Sequence, residues 1–129
     1  MILVDSSVWI DSLRRRTTPQ TELLDSLPPT EAIAVPDLCL YEILQGIKPA
    51  SAMSKVYEQL REFSIIPVGG EYIAVCAAQN AQLLKSHGIQ VTAVDCLLAT
   101  YCILNGVRLL TSDKDFEAFA THLGLDLVK

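Results

Sequence analysis

Apolar and polar residues follow one another along this chain in two kinds of block. Short apolar runs rich in β-branched residues have the look of strands buried on both faces. They are Ile2-Leu3-Val4, Ala32-Ile33-Ala34-Val35, Ile65-Ile66-Pro67-Val68, Val107-Arg108-Leu109-Leu110-Thr111 and Leu125-Asp126-Leu127-Val128. Between them lie longer stretches with apolar residues at helical spacing. Val8 to about Arg16 predicts a helix with Val8, Trp9 and Leu13 inward. Thr18-Pro19 reads as an N-cap followed by Pro at the first helical position, opening a short helix that Pro28-Pro29 stops. Pro36-Asp37 starts a third helix, closed by Gly46. Helices are also expected over Ser51–Phe63, Glu71 to about His87, Thr92–Asn105 and Lys114–His122. Pro67 places the third strand nearer a sheet edge, because proline cannot donate to a ladder.

Strand alternating with helix throughout predicts an α/β fold, with a mainly parallel five-stranded sheet, right-handed crossovers and helices on its faces. At 129 residues, half of them hydrophobic and 19% charged, the chain is long enough for one well-buried domain, 1–129, and too short for two. It has no internal repeat and no low-complexity linker. The start runs straight into a strand without a basic leader, and no stretch approaches the roughly 18 apolar residues of a spanning helix. The expectation is a cytoplasmic protein that does not engage a membrane.

Cys39, Cys76, Cys96 and Cys102 lie in apolar, helix-like contexts, with no CxxC pair and no zinc spacing. They read as reduced, small hydrophobic residues. His87 and His122 each precede a helix-ending glycine by one or two residues and read as end-of-helix residues rather than ligands. Arg14-Arg15-Arg16 falls where a helix dipole favours cations, which leaves a solvated helix end or a phosphate or partner contact. The net charge of −5 argues against a general nucleic-acid coat protein. It does not exclude an enzyme that meets nucleic acid through metal ions.

Four carboxylates stand where an ordinary fold would not put them. Asp5 ends the first strand, and in open parallel sheets ligands bind beyond the carboxyl ends of strands. Asp5, Ser6 or Ser7 could instead simply cap the following helix. Glu42 has apolar neighbours on nearly every side, on a helix whose polar face is thin, although an exposed Glu is possible there. Asp95 lies in Val91-Thr92-Ala93-Val94-Asp95-Cys96-Leu97-Leu98-Ala99, a helix apolar enough to be buried nearly all round. A capping box with Thr92 is the plain alternative. An unpaired buried carboxylate costs several kcal/mol, however, and no Lys or Arg lies near Asp95 in sequence. Asp113 repeats the arrangement of Asp5 at a strand-to-helix junction, and Asp115 sits in that helix's first turn, where acids are common anyway.

Clustered, these acids would repel one another unless a divalent cation lay among them. Carboxylate ligation without His or Cys selects hard ions, Mg²⁺ or Mn²⁺. Such a site suits phosphoryl transfer, in which the ion polarises phosphate, neutralises developing charge and helps to generate a hydroxide nucleophile.

The chain resembles the PIN-domain nucleases, and within them the small VapC-type ribonuclease toxins of type II toxin–antitoxin systems. The resemblance rests on Val4-Asp5-Ser6-Ser7-Val8-Trp9-Ile10-Asp11, Glu42-Ile43-Leu44-Gln45-Gly46, Asp95-Cys96-Leu97-Leu98-Ala99 and Leu110-Thr111-Ser112-Asp113-Lys114-Asp115-Phe116. These pieces occur in family order and span essentially the whole chain. The resemblance implies a single PIN domain and an acidic pocket made by Asp5, Glu42, Asp95 and Asp113. It also implies that Ser6 and Thr111 orient ligands or water, with Asp115 able to share the role of Asp113. The implied activity is Mg²⁺-dependent cleavage of RNA to 5′-phosphate and 3′-hydroxyl ends. The implied partners are an RNA substrate, a small antitoxin whose C-terminal segment inserts near the pocket, and a second copy in a homodimer. The segment before Glu42, Pro36-Asp37-Leu38-Cys39, departs from the pattern, because a hydroxyl residue is often found there. Two other readings compete: a degenerate PIN fold that binds a partner protein or RNA without cutting, and an aspartyl-nucleophile phosphatase. The latter usually wants a second Asp two residues after the first, where this chain has Ser7.

Overall fold

In the computed structural model, which describes all residues Met1–Lys129, strand β1 (Ile2–Val4) lies inside a parallel sheet. It pairs on one side with β2 (Ile33–Pro36) and on the other with β4 (Arg108–Leu110), while β3 (Ser64–Ile66) forms the far edge beyond β2. The order is β3-β2-β1-β4, all parallel. The chain therefore builds outward from β1 in one direction through β2 and β3, then returns to add β4 on the other side. That reversal opens a crevice beyond the carboxyl ends of β1 and β4, the usual ligand position in open α/β sheets.

The three residues of β1 show why a run apolar at every position belongs here. Side chains alternate between the faces of a strand. Ile2 and Val4 join one buried cluster with Val8, Trp9, Leu24, Val35, Ile43, Leu60 and Leu110. Leu3 points the other way, into a cluster with Ala34, Leu98, Leu109, Phe116 and Phe119. Helices α1 (Ser6–Leu13), α2 (Pro19–Ser26) and α4 (Met53–Leu60) cover the first face. The second is covered by α5 (Glu71–Ser86), α6 (Ala93–Asn105) and α7 (Glu117–Leu123). Helix α3 (Asp37–Gln45) contributes to both, with Ile43 in the first cluster and Cys39 in the second. On the first face the buried indole of Trp9 donates from Nε1 to the Val4 carbonyl at 2.9 Å, fastening α1 back onto β1.

Local chemistry accounts for the boundaries. Thr18 caps α2 in a reciprocal box with Thr21 and is followed by Pro19. Gly106 ends α6 in the left-handed conformation, φ 63°, which a glycine adopts without strain. Helix α1 starts at Ser6, two residues before the apolar pattern indicates, because Asp5 occupies the N-cap position. The expected Ser51–Phe63 helix is a short 3-10 turn (Ala50–Ala52) leading into α4, and α7 is likewise entered through a 3-10 turn, Lys114–Phe116.

The sheet has four strands rather than five. Leu125–Val128 makes a single parallel bridge, Leu127 to Leu109, with bonds from Leu109 N–H to the Asp126 carbonyl and from Val128 N–H to the Leu109 carbonyl, both 2.9 Å. Backbone groups of a strand face its two neighbours alternately. On the outer side of β4 these bonds are made by Leu109 alone, so Leu125–Val128 adds a bridge at the edge and not a strand. No helix is long and apolar enough to cross a membrane.

Candidate metal centre

Asp5 follows β1 directly, and its N–H bonds to the Leu110 carbonyl at 2.9 Å, so the ladder holds its backbone in place. It occupies the N-cap position of α1, yet its carboxylate makes no capping bond. The side chain instead turns into the crevice, only 5% exposed. There Oδ2 accepts from Ser7 Oγ at 2.8 Å and from Thr111 Oγ1 at 2.9 Å, while Oδ1 lies 3.4 Å from Ser6 Oγ and 3.7 Å from Cys39 Sγ. These donors come from α1, α3 and the residue just after β4.

Glu42, half-buried on α3, joins the same group, its Oε1 accepting from Ser6 Oγ at 3.0 Å. Ligand atoms of Asp5, Cys39 and Glu42 all lie within 4.8 Å of one another. A second trio, Asp95, Asp113 and Asp115, meets the same limit. Asp95 stands in the first turn of α6, where its N–H bonds to Thr92 Oγ1 at 3.2 Å; the cap forms, but the reciprocal bond of a full capping box does not. Asp113 caps the 3-10 turn by accepting from Asp115 N–H at 2.9 Å, and Asp113 N–H in turn donates to Thr111 Oγ1 at 3.0 Å. Asp115 itself is exposed, at the rim.

The two trios belong to one electrostatic unit. The Asp95 carboxyl is pushed up from an ordinary 3.8 to about 6, first by burial and then by the negative charges of Asp5, Asp113 and Glu42, against a smaller lowering by Thr92. No cation of the protein relieves this repulsion. The three ion pairs of the chain, Arg16–Asp11, Arg61–Glu58 and Arg108–Glu31, involve none of these carboxylates. Donors that are almost all carboxylate and hydroxyl oxygen, uncompensated and held just beyond strand ends and on two helices, fit a hard divalent cation. Contrast Asp37, a carboxylate just after β2. Its Oδ1 accepts from Leu38 N–H and Val68 N–H at 2.8 and 3.2 Å, which ties the exit of β3 to the start of α3.

The geometry thus brings together Asp5, Glu42, Asp95, Asp113, Ser6 and Thr111, with Asp115 beside them. Two further residues take part that sequence reasoning passed over. Ser7 reads as a helix cap, but it braces Asp5 and accepts from Ser112 N–H at 3.1 Å, stitching the segment after β1 to the segment after β4. Cys39 reads as a small core residue. The available signal was its spacing, three residues before Glu42 and so on the same helix face. His87 and His122 do end α5 and α7, and their rings stack at 4.5 Å between centroids.

Over its whole length the chain is 29% identical to Ribonuclease VapC32 of Mycobacterium tuberculosis, covering 98% of that protein. Among solved structures it superposes on VapBC2 from Rickettsia felis, bound to a DNA fragment from its promoter, with a TM-score of 0.80 at 18% identity, over 99% of this chain and 98% of the other. It superposes on VapBC-1 from nontypeable Haemophilus influenzae with a TM-score of 0.79 at 19% identity, over 100% and 98% of the two chains. At such identities the superpositions speak to the fold. A sequence model of the PIN domain matches residues 2–121, nearly the entire chain, and the protein belongs to the PIN-domain family.

Proposed function

We propose that this chain is a Mg²⁺-dependent endoribonuclease, with Mn²⁺ as an alternative ion, and the toxin of a type II toxin–antitoxin pair acting in the cytoplasm. The observation that carries the reading is the convergence of four carboxylates, with no protein cation among them, at the crevice between β1 and β4. The likeness to a VapC ribonuclease supports it.

On this reading Asp5, Asp95 and Asp113 would hold the ion, with Glu42 completing the set. When bound, a hard divalent cation supplies charge neutralisation at a phosphodiester and lowers the pKa of a nearby water. The protein's own part is positional. Ser7 and Thr111 fix Asp5 Oδ2, and Ser6 fixes Glu42 Oε1. Glu42 Oε2, to which no protein group donates, is free to accept a proton from the attacking water. Asp113 Oδ1 is anchored by Asp115 N–H, which assigns Asp115 the supporting part. Hydrolysis would leave 5′-phosphate and 3′-hydroxyl ends.

Two surface features support the expected partners. A groove of about 720 Å³, lined by Ile10, Leu13, Ile43, Ile47 and Val56 and opening beside Glu42 and Arg14, suits an apolar segment of a small VapB-like antitoxin. The VapBC complexes among the structural neighbours favour such a partner. Helices α5 and α6 leave Tyr72, Val75, Leu83 and Leu104 exposed, which suits a homodimer.

The test is cleavage of a labelled RNA pool by purified protein with Mg²⁺, with EDTA, and with the Asp95→Asn variant. Cutting that needs both the metal and Asp95 is expected. Cutting that survives EDTA would refute the metal-dependent reading. Absence of both cutting and metal binding would leave a degenerate PIN fold that binds a partner protein or RNA.

A further inference from the structure

Counting protons around Asp5 assigns a role to Cys39. Ser7 Oγ accepts from Ser112 N–H and Thr111 Oγ1 accepts from Asp113 N–H, so each hydroxyl has its own proton to give, and both give it to Asp5 Oδ2, at 2.8 and 2.9 Å. Oδ1 is served differently. Ser6 has one hydroxyl proton and two acceptors, Glu42 Oε1 at 3.0 Å and Asp5 Oδ1 at 3.4 Å, and the shorter bond takes it. What remains for Oδ1 is the thiol of Cys39, with Sγ at 3.7 Å, within reach for a sulfur donor, on a side chain that is 0% exposed.

We propose that Cys39 is a positioning residue: its S–H donates to Asp5 Oδ1 and, opposite the Ser7–Thr111 pair on Oδ2, fixes the orientation in which Asp5 presents its carboxylate to a metal ion. The place of Cys39 on α3, one helical turn before Glu42, means that one rigid helix both supplies an acid and aims another. This role rests on the metal-site reading above. It differs from a plain core contact, which would require only that the volume at position 39 be filled.

The test compares Cys39→Ser, which keeps a donor, with Cys39→Val, which keeps apolar volume, using Mn²⁺ binding by calorimetry on RNA-free protein and thermal melts to confirm folding. Groups that orient metal ligands typically matter about 10–100-fold in affinity. The expected result is Mn²⁺ affinity weakened about tenfold in Cys39→Val and within about threefold of wild type in Cys39→Ser. A folded Cys39→Val that binds Mn²⁺ as wild type does, or a reversed ranking, would overturn the proposal. A second measurement needs no metal: the S–H Raman band lost in Cys39→Ser should lie lower in frequency than that of Cys102, a buried thiol with no acceptor. A Cys39 band at the free-thiol position would also overturn it. If wild type bound no Mn²⁺ while the Cys39 band stayed shifted, the metal-site reading would fall and the Cys39–Asp5 bond would stand.

Discussion

Replacing Asp95 with asparagine should make the metal-free protein more stable while removing its activity. In the folded chain the Asp95 carboxyl titrates near 6, against an ordinary 3.8, so the folded state holds this proton more tightly than the unfolded state does. Stability from this group is therefore greatest below 3.8 and is lost as the pH rises through about 6. Taken at full value, the shift corresponds to about 3 kcal/mol at pH 8. Asp95 is only half-buried, so solvent screening reduces that to about 1–2 kcal/mol. The substitution is nearly isosteric and leaves the backbone bond to Thr92 in place, so little else changes. For a domain of this size the gain should raise Tm by about 3–8 °C at pH 8 in EDTA. At pH 3.5, where the wild-type carboxyl is itself protonated, the two proteins should melt together. Excess Mg²⁺ should reverse the order at pH 8, because only the wild type has its full ligand set to gain from binding. An Asp95→Asn protein that melts below wild type at pH 8 without metal, or that differs from it equally at both pH values, would show that burial and the charges of Asp5, Asp113 and Glu42 are not what acts on Asp95.

Three further outcomes are expected. Thr111→Val removes the donor to Asp5 Oδ2 and the acceptor of Asp113 N–H, so RNA cleavage should fall about 10–100-fold while Thr111→Ser stays near wild type, as gel assays of product formation would reveal. Trp9→Phe loses the indole bond to the Val4 carbonyl and should lower unfolding free energy by about 1–3 kcal/mol in urea titrations; no loss there would mean that the bond contributes nothing. Gly106→Ala should cost about 1 kcal/mol in the same titration. An added Cβ meets no atom within 4 Å, so the cost arises from the left-handed backbone alone, and an unchanged midpoint would refute it.

Much of this was legible in the sequence because strands buried on both faces have nothing to hide. Ile2-Leu3-Val4 has no polar position, and Asp5 is conspicuous for interrupting such a run. Asp95 stood out for the same reason, a charge inside an apolar helix. The hydroxyl of Ser7 was not legible, since a serine two residues into Asp-Ser-Ser serves as well for a cap, and only tertiary closure places it against Thr111. Cys39 was hidden differently: a thiol looks the same to a hydropathy pattern whether it fills space or donates a proton. The strand count was overstated because Leu125-Asp126-Leu127-Val128 has a suitable alternation, while in the fold Leu127 alone bridges to β4.

The pairing of β1 with β4 also sets a timetable. Ile2 lies beside Arg108, so the first strand must wait for nearly all of the chain before its second neighbour exists. Contacts this distant in sequence form late, because the intervening chain must be ordered before they reward closure. Asp5 has no Thr111 to brace it and no Asp113 to complete its surroundings until then. On the function proposed here, a growing polypeptide would consequently be harmless to the RNA around the ribosome that makes it. An antitoxin translated alongside would have that interval in which to meet its target before the first active site is assembled.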